Sequence, residues 1–557
     1  MFTVNFINEN KSVSVEDGTT VLNAARQAGV VIESPCNGVG VCGKCKVKLN
    51  KESVKNVIHN GKHRLSREEE EEGYVLSCEA AVKGDITVES ISRQNNKTLK
   101  ILGHGKSFDV ELNSFISKKY IDSSNITAVL AGQKLVGIED GNTQDKIYGI
   151  VVDIGTTTLV TSLIDISSGK ELAHISSLNP QSLYAQDVLS RIKFASQEEG
   201  LQVMYKEIIK EINTMIYEAA EKASVNKDNI YEIIFSGNTT MLHLAVNVNP
   251  HSLGKYPYIP EIEGGIYIDA ADHNLNISKY GVVYLPPIIS AYVGADITSG
   301  ILSSQLHKQQ GKTLFVDIGT NGEMAISLDG KLSSTSTAAG PAFEGMNISC
   351  GMRAGKGAIE FFNIEEDGSI TIKTIEDAES TGICGSGLLD IAGELVKHGV
   401  INSSGKFVNA EKAEIADGLK ERLEKKDGKT VFRITENVYL SQKDVRQVQL
   451  AKGAVRAGIE FLLKSKEIQA SEVDKVLIAG SFGYHLRAKS LINIGLLPEE
   501  FEGRIEFVGN TSKTGGQAFL LNKLYRDEIK NLVKDIEVVE LANCKDFDKV
   551  FVNCLGF

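Results

Sequence analysis

The chain has 557 residues, of which 42% are hydrophobic and 24% are charged, and its formal net charge is −12. This length accommodates several domains with sizeable cores, and the composition is that of an ordinary folded protein. The acidic balance and the lack of a basic tract exclude nucleic acid as an expected partner. No apolar run approaches the roughly 18 residues of a membrane-spanning helix, and no basic signal segment begins the chain, so we expect a cytoplasmic protein without a membrane partner.

Residues 1–92 predict one small α+β domain. Alternating apolar residues over Phe2–Phe6 predict its first strand, and Thr19 or Thr20 is placed to cap the helix that follows. A run of five glutamates, Glu68–Glu72, then predicts a short acidic helix. This run is either an electrostatic docking patch for a redox partner or an ordinary solvated helix face.

Four cysteines of this domain have the spacing of iron–sulfur ligands. Cys36, Cys42 and Cys45 share one glycine-rich loop with C-x5-C-x2-C spacing, and Cys78 follows after 32 intervening residues. This pattern suits a 2Fe–2S cluster, because the loop supplies three thiolates and a distant segment supplies the fourth. A zinc site is a competing interpretation, but only Cys42 and Cys45 form a CxxC pair. Disulfides are disfavoured, because eight cysteines in this length are not dense.

Residues 93–145 predict a linker with a small accessory element, because they are polar and lack clear periodicity. From 146 to 557 the chain carries an internal near-repeat, in which an apolar strand is twice followed by an Asp-x-Gly-Thr turn. Such a turn exposes backbone N–H groups and hydroxyls to phosphates, and its aspartate can hold a hydrated Mg²⁺. The residues that we expect to contact the phosphates and Mg²⁺ of ATP are Asp153, Gly155, Thr156, Thr157, Asp317, Gly319, Thr320 and Asn321.

Other segments of this region predict the remaining parts of a nucleotide site. A buried strand beginning at Lys475 ends in a glycine-containing turn that lets the backbone approach a purine ring. The residues expected to face the adenosine are Gly480, Ser481, Phe482 and Gly483. Asp317 or Glu323 is expected to orient the attacking water, although Glu323 also fits a hairpin carboxylate that only bonds the backbone. Segments rich in small residues, Ser290–Asp296 and Thr514–Ala518, predict two helices that cross closely at a hinge between lobes.

These motifs together resemble a known family. The first domain resembles the ferredoxin β-grasp fold, and residues 146–557 resemble the acetate and sugar kinase, heat-shock chaperone and actin superfamily (ASKHA), with its phosphate, connect and adenosine segments in order. The combination resembles the ATP-dependent reductive activators of corrinoid proteins, including Gly340–Gly345, Gly382–Asp390 and the C-terminal tail. The resemblance implies a multidomain α+β and α/β protein, in which a two-lobed ATPase (about 146–305 and 306–557) follows the ferredoxin domain.

The resemblance also implies a function. Members of this family return the corrinoid protein of a methyltransferase system from Co(II) to Co(I), using a 2Fe–2S cluster, ATP and Mg²⁺. It implies a low-potential electron donor such as a ferredoxin or flavodoxin, and it leaves a homodimer open. Three alternatives also remain open: an ATP-driven electron donor to another low-potential enzyme, a nucleotide-binding redox sensor, and a sugar kinase fused to a ferredoxin.

Some segments keep both a functional and a structural interpretation. Gly385–Gly387 either borders the nucleotide or only starts a helix. The hydroxyl run Ser333–Thr337 either contacts the partner near its corrin or forms an ordinary polar loop. The cysteines that lack ligand spacing, and that we expect to be buried apolar residues, are Cys350, Cys384, Cys544 and Cys554.

Overall fold

The structure of the protein is a computed structural model. The structure describes residues 1–8, 10–30, 32, 45–59, 65, 67–91, 110–480 and 486–557. The chain divides into two compact units, and the first comprises Met1–Lys97 together with Pro180–Phe194. The second unit comprises Thr98–Asn179 together with Ala195–Phe557. Among the described residues, every helix is too short or too polar to cross a membrane.

The N-terminal domain is a small mixed sheet with a helix packed against it. Its helices and strands are β1 (Phe2–Phe6), β2 (Lys11–Val15), α1 (Val21–Gln27), β3 (Lys46–Leu49), β4 (Val57–His59), α2 (Arg67–Glu71), β5 (Tyr74–Leu76), β6 (Ala80–Val82) and β7 (Ile86–Ile91). In the described part, five strands join in the order β2-β1-β7-β3-β5, with β1 parallel to β7. Thr20 caps α1, because its side chain accepts a hydrogen bond from the Asn23 N–H at 3.2 Å. The predicted β-grasp fold is confirmed.

The acidic helix α2 is partly balanced by lysines of the same domain. Lys46 Nζ lies 2.5 Å from Glu69 Oε1, and Lys48 Nζ lies 3.6 Å from Glu72 Oε2. Both lysines come from β3, so Glu69 and Glu72 each have a cation beside them. Exposed pairs of this kind contribute about 0–1 kcal/mol each. This arrangement favours the interpretation of Glu68–Glu72 as an ordinary solvated helix face. A docking role for the run stays a prediction.

A three-stranded antiparallel sheet precedes the ATPase region. Its strands are β8 (Ile116–Ile121), β9 (Ile126–Ala131) and β10 (Lys134–Asp140). The Lys118 side chain is fully buried, with Nζ 2.8 Å from Glu139 Oε2 and 4.4 Å from the centre of the Tyr231 ring. The Tyr231 hydroxyl also donates to Glu139. This buried network fastens the small sheet to the first ATPase lobe. Residues 92–109 lie outside the described residues, and the domain boundaries stay predictions.

Two larger sheets form the rest of the chain. Between residues 148 and 303 the elements are β11 (Tyr148–Ile154), β12 (Thr158–Asp165), β13 (Glu171–Leu178), α3 (Val188–Ala195), α4 (Glu198–Ala223), β14 (Ile230–Gly237), α5 (Thr239–Ala245), β15 (Ile266–Asp269), β16 (Val282–Leu285) and α6 (Ala295–Ser303). The elements of the second lobe are β17 (Lys312–Ile318), β18 (Gly322–Leu328), β19 (Lys331–Thr337), β20 (Ala358–Ile364), β21 (Ile370–Thr374), β22 (Gly382–Ile383), α7 (Gly385–Lys397), α8 (Asp417–Lys420), β23 (Leu423–Lys426), β24 (Lys429–Arg433), β25 (Tyr439–Ser441), α9 (Gln442–Ser465), β26 (Lys475–Ala479), α10 (Ala488–Asn493), β27 (Ile505–Gly509), α11 (Thr511–Leu521), α12 (Leu524–Leu532), β28 (Glu537–Val538) and α13 (Phe547–Asn553).

The two sheets share one topology around the predicted phosphate loops. The first has the order β13-β12-β11-β14-β16-β15, and the second has the order β27-β26-β17-β18-β19-β28 among the described strands. In each, one strand pairs antiparallel with the next and parallel with a distant strand: β11 with β12 and β14, and β17 with β18 and β26. Val151 and Phe315, on the strands before the loops, are fully buried, which stabilises the fold by about 1.5–3 kcal/mol each. The two-lobed prediction is confirmed.

Helices α6 and α11 cross at glycines. A Cβ on Gly515 would lie 2.1 Å from Ser299 O, and a Cβ on Gly516 would lie 2.4 Å from Val151 Cγ1. Any larger residue would therefore force the helix away from α6 and β11 of the first lobe. The close crossing predicted from Thr514–Ala518 is confirmed, whereas its role as a hinge stays a prediction.

The helix predicted over Ser290–Asp296 is wrong in its extent. Helix α6 begins only at Ala295, and the residues before it form an irregular turn. Gly294 is extended, and a Cβ there would lie 2.5 Å from Asn238 Cα. The chain must pass this neighbouring turn before the helix begins. Gly294 therefore allows the two backbones to approach closely, and it does not lie inside the helix.

Candidate functional site

Two of the four predicted cluster ligands lie together. Cys45 Sγ and Cys78 Sγ are 3.1 Å apart, although 33 positions separate them in the chain. Hydrogen bonding with the Cys78 side chain lowers the pKa of Cys45 to about 6, against the opposing effect of burial. A thiolate is the form that ligates iron, so this pair fits a cluster edge. Cys36 and Cys42 lie outside the described residues, and their role as ligands stays a prediction.

The two predicted phosphate loops meet in one cleft. In the first loop, the Gly155 N–H donates to Thr158 O at 3.0 Å, and a Cβ on Gly155 would lie 2.5 Å from that oxygen. In the second loop, the Gly319 N–H donates to Asn321 O at 2.9 Å. The predicted phosphate and Mg²⁺ residues that line this cleft are Asp153, Gly155, Thr156, Thr157, Asp317, Gly319, Thr320 and Asn321. Their placement suits phosphate contacts, which remain a proposal.

Asp153 is held by the helix that follows the second lobe's outer strand. Asn510 Nδ2 donates to Asp153 Oδ2 at 2.7 Å, and the Ser512 hydroxyl donates to Asp153 Oδ1 at 2.7 Å. Shielding from water nevertheless raises the pKa of Asp153, against these bonds and the charge of Lys513. Because Asn510 and Ser512 begin α11, this carboxylate joins the first phosphate loop to the helix that crosses α6.

Four carboxylates line the cleft and interact through their charges: Asp153, Asp296, Asp317 and Glu323. Shielding from water, followed by the charges of Asp296 and Asp153, raises the pKa of Asp317 to about 8. Shielding and the charge of Asp153 raise the pKa of Asp296 to about 7. The pKa of Glu323, which is only 6% exposed, is raised by burial and then by Asp296 and Asp317. Like charges held this close need a counter-charge, and a divalent cation supplies one.

The carboxylates fit a hydrated cation. In the described part of the chain, no three acidic, histidine or cysteine side chains converge as a direct metal-ligand set. Mg²⁺ commonly keeps several waters and binds through one or two carboxylates and the substrate phosphates. Asp153, Asp296 and Asp317 therefore suit a Mg²⁺ that is held largely through water and nucleotide oxygens. When bound, this ion would neutralise phosphate charge.

The raised pKa values predict a pH-dependent site. We expect the affinity for Mg-ATP to increase from pH 6 to pH 8.5, by up to about tenfold per pH unit for each proton released. The pKa values of Asp296 and Asp317 are higher in the folded state, so their protonation stabilises the metal-free fold at low pH. That stability is lost as pH rises through 7 to 8. Calorimetric titration and thermal melts measure both effects.

Asp296→Asn is the matched control for this prediction, because ATP itself also titrates in this range. The variant should bind Mg-ATP more weakly, with a shallower pH dependence than the parent. An identical pH profile in both proteins would contradict the assignment of these protons to the carboxylates.

Several cleft residues were missed by the sequence analysis. Asn238 caps α5, accepting from the Met241 N–H at 3.0 Å, and its Nδ2 donates to Thr156 Oγ1 at 3.1 Å. Asp296 lies in the first turn of α6. For Asp296 the signal was present, since it ends the small-residue segment Ser290–Asp296, and Asn238 directly follows the buried strand β14. The further cleft residues without a predicted role are Glu344, Arg353, Asn510 and Ser512.

The residues that the sequence predicts to face the adenosine are described in part. Gly480 lines the cleft with φ +134°, while Ser481, Phe482 and Gly483 lie outside the described residues. Gly385 and Ser386, at the start of α7, also line the cleft, which favours their bordering the nucleotide. Glycine is required at position 387 for packing, because a Cβ there would lie 2.0 Å from Ile359 O.

The hydroxyl run Ser333–Thr337 does not form a partner surface. It is strand β19, in the interior of the second sheet, and four of its five residues are buried. Thr335 Oγ1 donates to Val539 O at 2.6 Å, and Thr337 Oγ1 donates to Gly322 O at 3.2 Å. The interpretation as a corrin contact is wrong, because the run is buried in the sheet and both threonine hydroxyls donate to backbone carbonyls of neighbouring segments.

A ferredoxin-type pair of thiols and two similar loops that meet in one cleft define the class of this protein. It is an iron–sulfur protein with an ASKHA-type ATPase. Three family models match the chain accordingly. They are the 2Fe–2S iron–sulfur cluster binding domain over residues 5–83, the RACo middle region over 148–309, and the C-terminal ASKHA domain of RACo over 311–557. The first match supports a 2Fe–2S cluster, and the last supports nucleotide binding.

Full-length relatives then give the family. The chain is 30% identical to the corrinoid activation enzyme RamQ of Eubacterium limosum over 97% of both proteins. It is 25% identical to a Co(II) methylated amine-specific corrinoid protein reductase of Methanosarcina barkeri, over 74% of this chain and 77% of that one. A solved reductive activator for corrinoid, iron–sulfur protein matches 100% of this chain and 98% of its own, with 28% identity and a TM-score of 0.75. The chain belongs to the reductive activators of corrinoid proteins, a family of enzymes, as the sequence predicted.

Proposed function

We propose that this protein is an ATP-dependent one-electron reductase, which reduces the corrinoid protein of a methyltransferase system from Co(II) to Co(I). The observation that carries the proposal is the near full-length similarity to RamQ, a corrinoid activation enzyme. The thiol pair and the two-loop cleft supply the two chemical components that such an activity needs. A low-potential ferredoxin or flavodoxin as electron donor, a cytoplasmic location and a homodimer belong to the same proposal as expectations from the sequence.

The energy needed to reduce Co(II) explains why the reaction would require ATP. A ferredoxin-type cluster normally has a potential of about −400 mV, and Co(II) in a corrinoid demands a stronger reductant. Each 100 mV of deficit in a one-electron step corresponds to about 2.3 kcal/mol. Closure of two lobes on Mg-ATP can supply several kcal/mol, provided that the nucleotide binds one conformation much better than the other. We therefore assign ATP a conformational role in drawing or releasing the partner.

The residues divide into two functional groups under this proposal. When bound at Cys36, Cys42, Cys45 and Cys78, the 2Fe–2S cluster supplies the single electron. The two phosphate loops bind and orient ATP, and Asp317 or Glu323 is the predicted carboxylate near the attacking water. Helices α6 and α11 meet beside Asp153 and Asp296. A nucleotide that contacts these carboxylates would therefore act on the packing of α6 against α11.

The proposal is tested by following the corrin absorption of a Co(II) corrinoid protein mixed with the reduced enzyme and Mg-ATP. Conversion to Co(I) supports the proposal. A second readout is the fate of the γ-phosphate: release as inorganic phosphate agrees with an ATPase, whereas transfer to a small molecule indicates a sugar kinase. Reduction of a different low-potential enzyme in preference to the corrinoid protein would favour the alternative electron donor.

A further inference from the structure

Glu344 occupies a place in the nucleotide cleft that the motifs did not assign. It ends the short 3₁₀ turn Pro341–Glu344, which lies within the glycine-flanked segment Gly340–Gly345. Its side chain lines the same cleft as Asp317, Gly319 and Thr320.

The turn that carries Glu344 is bound to the second phosphate loop twice. The Thr320 hydroxyl donates to Glu344 Oε1, and the Gly340 N–H donates to Thr320 O at 2.8 Å. Gly345 adopts φ +77°, and a Cβ there would lie 2.4 Å from Met352 O, so the end of the turn is also fixed. These constraints hold the carboxylate in one orientation relative to the phosphate loop.

One oxygen of Glu344 is left for a ligand. Oε2 is shielded from bulk solvent and has no hydrogen-bond partner among the described residues. A buried carboxylate oxygen without a partner is costly, which points to an occupant in the working enzyme. By contrast, Asp153 accepts bonds on both oxygens, and Glu323 Oε1 accepts from Asn321 Nδ2 at 2.9 Å.

We propose that Glu344, in place of Asp317 or Glu323, is the catalytic carboxylate that orients the hydrolytic water and accepts its proton. This inference rests on the proposed ATPase function and deepens it. The water oxygen forms a bond to the γ-phosphorus, the bond from that phosphorus to the β,γ-bridging oxygen breaks, and ADP leaves with the bonding electron pair. The proton of the water passes to Glu344 Oε2 and then to solvent. The Thr320 bond to Oε1 aims the other oxygen at the water.

The experiment compares Glu344→Gln with the parent holoenzyme. The amide keeps the size of the side chain and an oxygen that accepts from Thr320, but it cannot accept the proton. We expect the rate of ATP hydrolysis to fall by about 100-fold or more. The dissociation constant for Mg-ATP should change by less than about threefold. After brief mixing with ATP and rapid gel filtration, the variant should retain ATP, whereas the parent should retain ADP.

Two further variants keep the result decisive. Glu344→Asp should hydrolyse ATP at an intermediate rate with unchanged affinity, and it replaces Glu344→Gln if that variant fails to fold. Glu366→Gln is the matched control, because Glu366 is exposed on the same lobe, and it should behave as the parent. Parent-like hydrolysis by Glu344→Gln, or equal losses of rate and affinity, would overturn the assignment. Failure of the parent itself to hydrolyse Mg-ATP would instead refute the proposed function.

Discussion

Replacing Asp317 with alanine is expected to reduce Mg-dependent ATP hydrolysis by about 100- to 1000-fold, without loss of the iron–sulfur cluster. Asp317 lies at the end of β17, in the cleft, where its charge acts together with those of Asp296 and Asp153. Removing it takes away negative charge from the proposed Mg²⁺ site. Phosphate release and Mg²⁺ titrations measure the loss, and the visible spectrum reports the cluster.

Asp153→Ala should produce a similar loss for an additional reason. The change also breaks the bonds from Asn510 and Ser512, so α11 loses its contact with the first phosphate loop. Asp535→Ala serves as the control, because Asp535 is exposed and lies outside the cleft lining. If both cleft variants hydrolyse ATP at the parent rate with the same dependence on Mg²⁺, the two-loop phosphate site is wrong.

Cys78→Ser is expected to remove or strongly alter the visible absorption of the cluster and to stop electron delivery, while nucleotide binding stays intact. Cys78 contacts Cys45 at the predicted cluster site, whereas the cleft is formed by a different part of the chain. Cys544→Ser is a matched control, because Cys544 lies in the ATPase domain, where its thiol donates to the nearby Glu540 O at 3.5 Å. An unchanged spectrum in Cys78→Ser, or tetrahedral zinc in the anaerobically isolated parent, would contradict the cluster assignment.

The sequence predicted those features that repeat or that depend on local spacing. The hairpins ending at Asp153 and Asp317 were recognisable because each strand, turn and strand is contiguous and occurs twice. The cysteine pair was recognisable because ligand spacing is a strong pattern even when Cys45 and Cys78 lie far apart in the chain. Fold and family followed from these motifs together and are confirmed.

What the sequence missed depends on contacts between distant segments. Asp296 lies in the cleft because the chain passes close to Asn238 at Gly294. The same close approach delays the start of α6, so the helix is shorter than predicted. The hydroxyls of Ser333–Thr337 look like a polar loop in the sequence, but the neighbouring strands bury them. Glu344 acquires an orientation only from Thr320, 24 positions earlier in the chain. No periodicity or local motif reports such a contact.

The most direct test of the central claim is the corrin spectrum of a Co(II) corrinoid protein, recorded with reduced enzyme in the presence and absence of Mg-ATP. Parallel reactions should contain Cys78→Ser in place of the parent, or free corrinoid in place of the protein-bound form. Coupled reduction predicts rapid formation of Co(I) only when the parent enzyme, Mg-ATP and the corrinoid protein are all present. Formation of Co(I) at the same rate without ATP would contradict it.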